Sequence, residues 1–295
     1  MQRRNFIAAT AAGIGLAAAG LTRGQTPENP TPRTGYAPVN GLKLYYEVHG
    51  TGEPLILLHG GLGASGMFAG ILPALSAKRQ VVAADLQAHG RTADMDRPLT
   101  FLAMASDVAG LLKHLGIAKA DVMGYSLGGG VAAHVAFAYP EAVRKLVIVS
   151  TAFNKDGWYP EINAGMSQIG AAAAEPMKQT PMYQMYASIA PRPQDWPVLL
   201  AKIGELLRKD YDWSTSVLAI KSPALLVFGD ADAVRTAHAV QFFELLGGGK
   251  KDGGWDGSGI SSARLAILPG ATHYNIFSSP ALAATTSAFL ENGMK

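Results

Sequence analysis

DVMGYSLGGGVAAHVAF, Asp121 to Phe137, decides how the rest of the chain is read. Its first five residues form a short apolar run of the kind found in strands buried on both faces. From Gly128 onward, glycine and alanine fill a segment of helical character. Ser126 stands at the junction, with Gly124 two residues before it and Gly128 two after. The pattern G-x-S-x-G is weak by itself in a chain with 34 glycines. Between a strand and a helix it acquires a steric meaning. A serine on a sharp, strained turn needs neighbours without bulk, and Gly129, Gly130, Ala132 and Ala133 let the helix approach the sheet. The helix then aims its N-terminal N–H groups and dipole at the serine. The bland alternative is a tight strand–helix turn with no chemistry.

A serine hydroxyl is a poor nucleophile at neutral pH and needs a base. The chain offers seven histidines. His114 and His134 fall within helix patterns, His49 ends an early strand pattern and His238 opens a helix. His273 differs, because it lies just past the late strand pattern RLAILPG. That is the sheet edge where open α/β folds bind ligands, and Ser126 lies on the same edge. The base needs an acid to orient it. Asp230 and Asp232, in LLVFGDADAV, both follow another strand at that edge, and an aspartate there can equally serve a turn by accepting from loop N–H groups. For a developing oxyanion the candidate donors are the N–H of Leu127, next to the serine, and that of Gly61 in LLHGGLG, with Leu62 as the alternative. His59 reads as a brace for that loop. Asp85 and His89, in DLQAHGRT, read as loop-organising residues.

Outward from this stretch, apolar runs alternate with helix patterns. The strands are LKLYYEVHG (Leu42–Gly50, after an Asn40-Gly41 turn), PLILLHG, QVVAADL, DVMGY, VRKLVIVS, ALLVFGD and RLAILPG. Helices are expected up to about Leu75, over Phe101–Gly116, to about Tyr139, near Ala237–Leu246 and near Pro280–Glu291. The alternation implies an α/β fold, a mostly parallel sheet with helices on both faces. Between residues 153 and 215 it stops. Tryptophans, tyrosines, methionines and prolines there read as short helices and loops, inserted into a core of residues 35–152 and 216–295. Gly247–Gly259 reads as a surface loop with Trp255 as its anchor.

In order, His59-Gly60-Gly61, DLQAHGRT, GYSLGG, GDAD and PGATH make the chain resemble the α/β-hydrolase superfamily, in its lidded, serine esterase-like branch, across roughly residues 36–292. The resemblance implies an eight-stranded type of sheet, with 153–215 as a helical lid over the acyl or leaving-group pocket. It implies Ser126 as nucleophile, His273 as base and Asp232, the second aspartate of its segment, as acid, in the Ser, Asp, His order of that fold. Gly61 and Leu127 would form the oxyanion hole, with no metal and no organic cofactor. The implied activity is hydrolysis of carboxylic esters of small or medium hydrophobic substrates through an acyl-enzyme. Lactonase, amidase, carbon–carbon bond hydrolase and cofactor-free perhydrolase chemistry use the same triad and stay open. A non-catalytic binding protein on this fold is the reading from a different class, and such proteins often lose a triad member. Ala88 departs from the pattern, which more usually has glycine before His89-Gly90. The lid matches no specific pattern, so substrate identity does not carry over.

Composition narrows the partners. Charged residues are 16% of the chain, the formal charge is +3 and there are no cysteines. A near-neutral body gives no electrostatic case for nucleic acid, and disulfides, thiolate metal sites and cysteine lipidation are excluded. MQRRNFIAATAAGIGLAAAG, with Arg3-Arg4, a weakly apolar run and Ala17-Ala18-Ala19, resembles the twin-arginine export signal of bacteria. The expectation is a signal peptide over 1–19, a linker over 20–34, passage through the twin-arginine export machinery and a periplasmic or secreted protein. An uncleaved signal would hold the protein at the inner membrane.

Overall fold

Among the described residues eight strands form one sheet in the order β1-β2-β4-β3-β5-β6-β7-β8. They are β1 (Arg33–Val39), β2 (Leu42–His49), β3 (Glu53–Leu58), β4 (Arg79–Ala84), β5 (Ala120–Tyr125), β6 (Val143–Val149), β7 (Ala224–Ala231) and β8 (Ala263–Thr272). The computed structural model describes residues 31–291. The expected signal peptide and most of the expected linker lie outside the described residues. Strands β3 to β8 pair in parallel, while β2 runs antiparallel to both β1 and β4. Asn40 and Gly41, both at positive φ (48° and 84°), close the β1–β2 hairpin, as a two-residue loop between twisted strands requires.

Strand β1 corrects the sequence reading, since it starts at Arg33 within the stretch expected as linker. Thr31-Pro32-Arg33-Thr34 belong to the Thr-, Pro- and Gly-rich stretch that reads as linker. The strand tolerates Pro38 because it lies at the sheet edge, and only Ala37 and Val39 of it are buried.

Among the described residues ten helices accompany the strands: α1 (Leu72–Ser76), α2 (Phe101–His114), α3 (Leu127–Ala138), α4 (Pro160–Ser167), α5 (Ala174–Met177), α6 (Pro181–Ile189), α7 (Trp196–Arg208), α8 (Ser214–Leu218), α9 (Thr236–Leu245) and α10 (Pro280–Glu291). The helix expected up to Leu75 is only a 3-10 turn, Ser65–Phe68, followed by the short α1. Gly63, Gly66 and Gly70 make a longer helix unfavourable there. Helices α4–α8 lie between β6 and β7 as an insertion, and α8 crosses the boundary expected at residue 215. Trp255 anchors nothing: it is fully exposed in its loop.

Alternate side chains divide the sheet between two cores, as strand periodicity dictates. Ile56, Leu58, Val122 and Ile148 join the core that contains α2, α3 and much of the insertion. Leu55, Leu57, Met123 and Val147 join the one covered by α1 and α10. With both faces covered, the parallel strands read as unbroken apolar runs. What stays free for chemistry is the edge formed by their carboxyl ends.

Candidate active site

Ser126 sits at φ 53° and ψ −117°, between β5 and α3. A non-glycine residue held there costs on the order of 1–3 kcal/mol, so its surroundings must impose the geometry. They do. Ser126 N–H donates to Val149 O (2.9 Å), and Ser126 O accepts from Gly130 N–H (3.1 Å) and Thr151 Oγ1 (2.9 Å). The glycines are steric necessities. A Cβ on Gly124 would stand 2.0 Å from Gly128 O, and one on Gly128 would stand 2.2 Å from Leu58 O.

The structure brings Ser126, His273 and Asp232 together. Ser126 Oγ lies 3.1 Å from His273 Nε2, and His273 Nδ1 lies 3.1 Å from Asp232 Oδ1. Asp232 also accepts from Val234 N–H (3.1 Å), Gly229 N–H (3.1 Å) and the Ser150 hydroxyl. Burial alone would raise its pKa. The hydrogen bond and charge of His273, with the bonds from Ser150 and Gly229, hold it below the usual carboxylate value. Asp232 therefore stays an acceptor, which places the proton of the neutral imidazole on Nδ1 and leaves Nε2 to receive the serine proton. The Tyr125 hydroxyl donates to His273 O at 2.6 Å and its ring lies 5.2 Å from the imidazole.

Asp230 is placed elsewhere: it accepts from Gly270 N–H at 2.9 Å and shapes the end of β8. Gly61 faces Leu127 closely, since a Cβ on Gly61 would lie 3.8 Å from Leu127 Cβ. Leu127 opens α3, where the helix supplies no acceptor for its N–H. The neighbouring Leu62 takes φ 57°, within a turn closed by Gly63 N–H donating to Gly60 O at 3.1 Å.

The loop residues act as the sequence suggests. His59 Nδ1–H donates to Gly60 O (2.7 Å) and its Nε2 accepts from Leu86 N–H (3.0 Å), so this buried ring is neutral; burial lowers its pKa. Asp85 accepts from Ser65 N–H (2.7 Å) and Arg91 N–H (2.8 Å). His89 donates to Gln87 O (2.8 Å) and burial pushes its pKa down to about 3. Ala88 keeps a left-handed φ of 66°, the conformation a glycine adopts without strain.

Ser150 was not expected. It directly follows β6 at φ 52° and its hydroxyl meets a carboxylate 82 residues away. Its only sequence signal is a serine at the carboxyl end of a buried strand.

Over Ser126 and His273 lies a cavity of about 650 Å³. The insertion supplies Trp158, Met166, Met182, Met185, Leu206 and Trp213 to its walls, among others. Trp158 Nε1–H donates to the Tyr211 hydroxyl at 2.8 Å, and Lys155, which also borders the cavity, spends its ammonium on Leu207 O (3.0 Å) and Arg208 O (3.2 Å) at the end of α7. The walls are thus chiefly apolar; Asn163, also on the wall, donates to Lys155 O (3.1 Å) while its buried Oδ1 accepts from no protein group. Among the described residues no group of three or more His, Asp or Glu side chains is placed to hold a metal ion.

Comparisons with known proteins follow the same outline. Residues 53–252 match the model of the alpha/beta hydrolase fold family. A soluble epoxide hydrolase of Corynebacterium sp. (strain C12) is 36% identical over 116 residues, which are 38% of this chain and 40% of that protein, so the chain spans well under two thirds of this curated relative. The carboxylesterase CesB (YbfK) of Bacillus subtilis superposes with a TM-score of 0.68 at 20% identity, covering 90% of this chain and 93% of that one. The enol-lactonase of Burkholderia xenovorans LB400 superposes with a TM-score of 0.66 at 23% identity, covering 87% and 100%. At such identities the two superpositions speak for the fold. With its sheet order, its strand–serine–helix turn and the family match over most of its length, the chain belongs to the alpha/beta hydrolase fold family.

Proposed function

We propose that the protein is a serine hydrolase that cleaves carboxylic esters of small or medium hydrophobic substrates through an acyl-enzyme. One observation carries this reading: the hydrogen-bonded series Ser126–His273–Asp232 at the floor of an apolar cavity. Ser126 Oγ attacks the acyl carbon while its proton passes to His273 Nε2. The N–H groups of Gly61 and Leu127 receive the oxyanion. Asp232 stabilises the imidazolium and keeps Nε2 directed at the serine. His273 then returns the proton to the departing alkoxide, and in the second half-reaction it activates the water that releases the acid. The carbon–oxygen ester bond breaks in the first half and the serine ester in the second.

An ester is favoured over an amide because an alkoxide leaves more readily than an amine. Epoxide hydrolases of this fold use an aspartate nucleophile, and Ser126 stands at that position here, so the soluble epoxide hydrolase lends the chain its fold without that chemistry. A lactone is an internal ester, and the same steps serve it. The segment 153–215 acts as the lid of the cavity in this reading.

The test is a panel of aryl esters, lactones and amides offered to the wild type and to Ser126→Ala. Ester turnover that vanishes in the variant supports the mechanism; no turnover, or turnover equal in both, refutes it. We propose further that residues 1–19 direct export by the twin-arginine route. A reporter fused to residues 1–30 is expected to cross the inner membrane and to stop when Arg3 and Arg4 become lysine.

A further inference from the structure

The cavity has an open side and a closed side. Tyr274 and Met182 line it yet are 70% and 40% exposed. One directly follows His273 and the other lies on α6, so they mark the opening to solvent. Gly61 and Pro181, the latter beside Met182, are exposed as well, whereas Phe101, Tyr211, Trp213 and Leu207 are only partly exposed. Phe101, Tyr211 and Trp213 pack ring against ring, with centroids 5.0 Å apart for Phe101–Trp213 and 4.5 Å for Tyr211–Trp213. Phe101 also presses on Gly130, behind the serine, where a Cβ would come within 2.4 Å of its ring. Leu207, half-buried, continues this surface.

The tetrahedral carbon formed on Ser126 carries four substituents, and three have assigned directions. One is Ser126 Oγ. The oxyanion faces Gly61 and Leu127. The leaving oxygen faces His273 Nε2, because that atom must return the proton to it. The leaving group therefore continues past His273 to Tyr274 and Met182, where the cavity opens. The fourth substituent, the acyl chain, is left the aromatic wall, which is less exposed than the Tyr274 and Met182 side.

We infer that the substrate binds with its acyl chain enclosed against Phe101, Tyr211, Trp213 and Leu207 and its alcohol emerging beside Tyr274 and Met182. The natural substrate class is then an ester of a size-limited apolar acid with an alcohol of almost any bulk. This inference rests on the serine hydrolase reading of Ser126 and extends it to substrate orientation.

Two substrate series test it on the full chain. In 4-nitrophenyl esters lengthened from acetate to dodecanoate, kcat/KM falls by at least about tenfold per step once the acyl chain outgrows the wall. In butyrate esters of methanol, benzyl alcohol and a polyethylene glycol monomethyl ether, kcat/KM stays within about tenfold. Leu207→Ala moves the acyl limit to longer chains and leaves the alcohol series unchanged; Phe101→Leu serves as a second probe if that variant does not fold. Tyr274→Ala raises KM for aryl alcohols and leaves the acyl limit where it was. A sharp cut-off in the alcohol series, or an acyl limit that both wall variants leave in place, overturns the assignment. If no ester in either series is hydrolysed, the esterase reading itself fails. Labelling of Ser126 by 4-nitrophenyl alkylphosphonates of increasing alkyl length, followed by mass spectrometry, then still decides the orientation. A steep length limit that Leu207→Ala relaxes supports it, and a flat profile refutes it.

Discussion

The sheet side of the cavity and the side formed by the insertion, the lid of the proposed function, are built by opposite means. On the sheet side, position is set by hydrogen bonds and backbone strain. Ser126 and Ser150 both hold positive φ angles, and Asp232 gathers four donors. On the lid side, shape is set by packing of rings and methionines, and the polar groups fasten the lid. Lys202 reaches Asp94 (2.6 Å), Met95 O (2.7 Å) and Arg97 O (2.8 Å) on the core, and Lys155 closes the end of α7. Bond-forming chemistry needs atoms held within a fraction of an ångström, whereas an apolar pocket needs only volume and a dry surface. Changes on the sheet side should therefore alter kcat, and changes on the lid side should alter KM and substrate range.

The largest expected effect tests the first half of that contrast. Ser126→Ala should lower kcat by a factor on the order of 10⁶ where a full triad acts as a unit, with the melting temperature little changed, because alanine keeps the same strained backbone angles. Asp232→Asn should follow at about 10⁴, because the amide favours the wrong imidazole tautomer. Steady-state kinetics with an aryl ester measures both. A loss under tenfold in either variant would place the chemistry elsewhere in the cavity.

Ser150→Ala should cost less. It removes one hydrogen bond to a charged, buried carboxylate, a contribution of about 1.5–3 kcal/mol. If half or more of that bond orients Asp232 for catalysis, kcat falls roughly 4- to 160-fold with KM unchanged. Restoring the hydroxyl with threonine should recover part of the rate. A rise in KM instead would assign Ser150 to substrate binding.

On the lid side, Lys155→Met should leave kcat for a small ester within about threefold and raise KM several-fold. The variant loses the bonds to Leu207 O and Arg208 O that anchor the end of α7 against the cavity. Loss of kcat with KM unchanged would break the division between the two sides.

The same division governs what could be read from the residues alone. Gly124 and Gly128 announce Ser126 because no larger residue fits beside it, and a steric prohibition is visible in sequence. His273 is legible because it follows the last strand at the edge that holds Ser126. Asp232 is not separable from Asp230 by local reasoning, since both end one strand. The difference is that Asp230 is taken by Gly270 N–H, 40 residues away, and only the resemblance to a family distinguished them. Ser150 stayed hidden because its role lies wholly in a contact across 82 residues. In the lid, Met166, Met185 and Trp213 betray an apolar surface but not its shape, because packing without a fixed hydrogen-bond pattern leaves no periodic mark. Strand β1 was missed for a related reason: at the sheet edge, only two of its residues needed to be apolar.

The smallest effect is expected at the seam where the chain leaves the sheet for the lid. His238, on α9, accepts from Phe153 N–H at 3.1 Å and stacks on the Phe153 ring at 4.0 Å. Burial, with the nearby Arg235 charge, lowers its pKa from 6.5 to about 4. The folded protein thus resists a proton that the unfolded chain accepts as soon as the pH drops below about 6.5. The stability tied to this ring is complete above that pH and is lost progressively as the pH falls toward 4. Glutamine can offer Phe153 an acceptor and cannot be charged. His238→Gln should therefore be somewhat less stable than the wild type at pH 7.5, yet lose less melting temperature between pH 7.5 and pH 5.0. The slope shrinks without vanishing, because His89 remains buried with its pKa down at about 3. Calorimetric scans of both proteins at the two pH values measure the difference. Equal slopes would mean that the ring at this seam opens to water before the rest of the molecule unfolds, and that the lid's root is looser than the sheet it grows from.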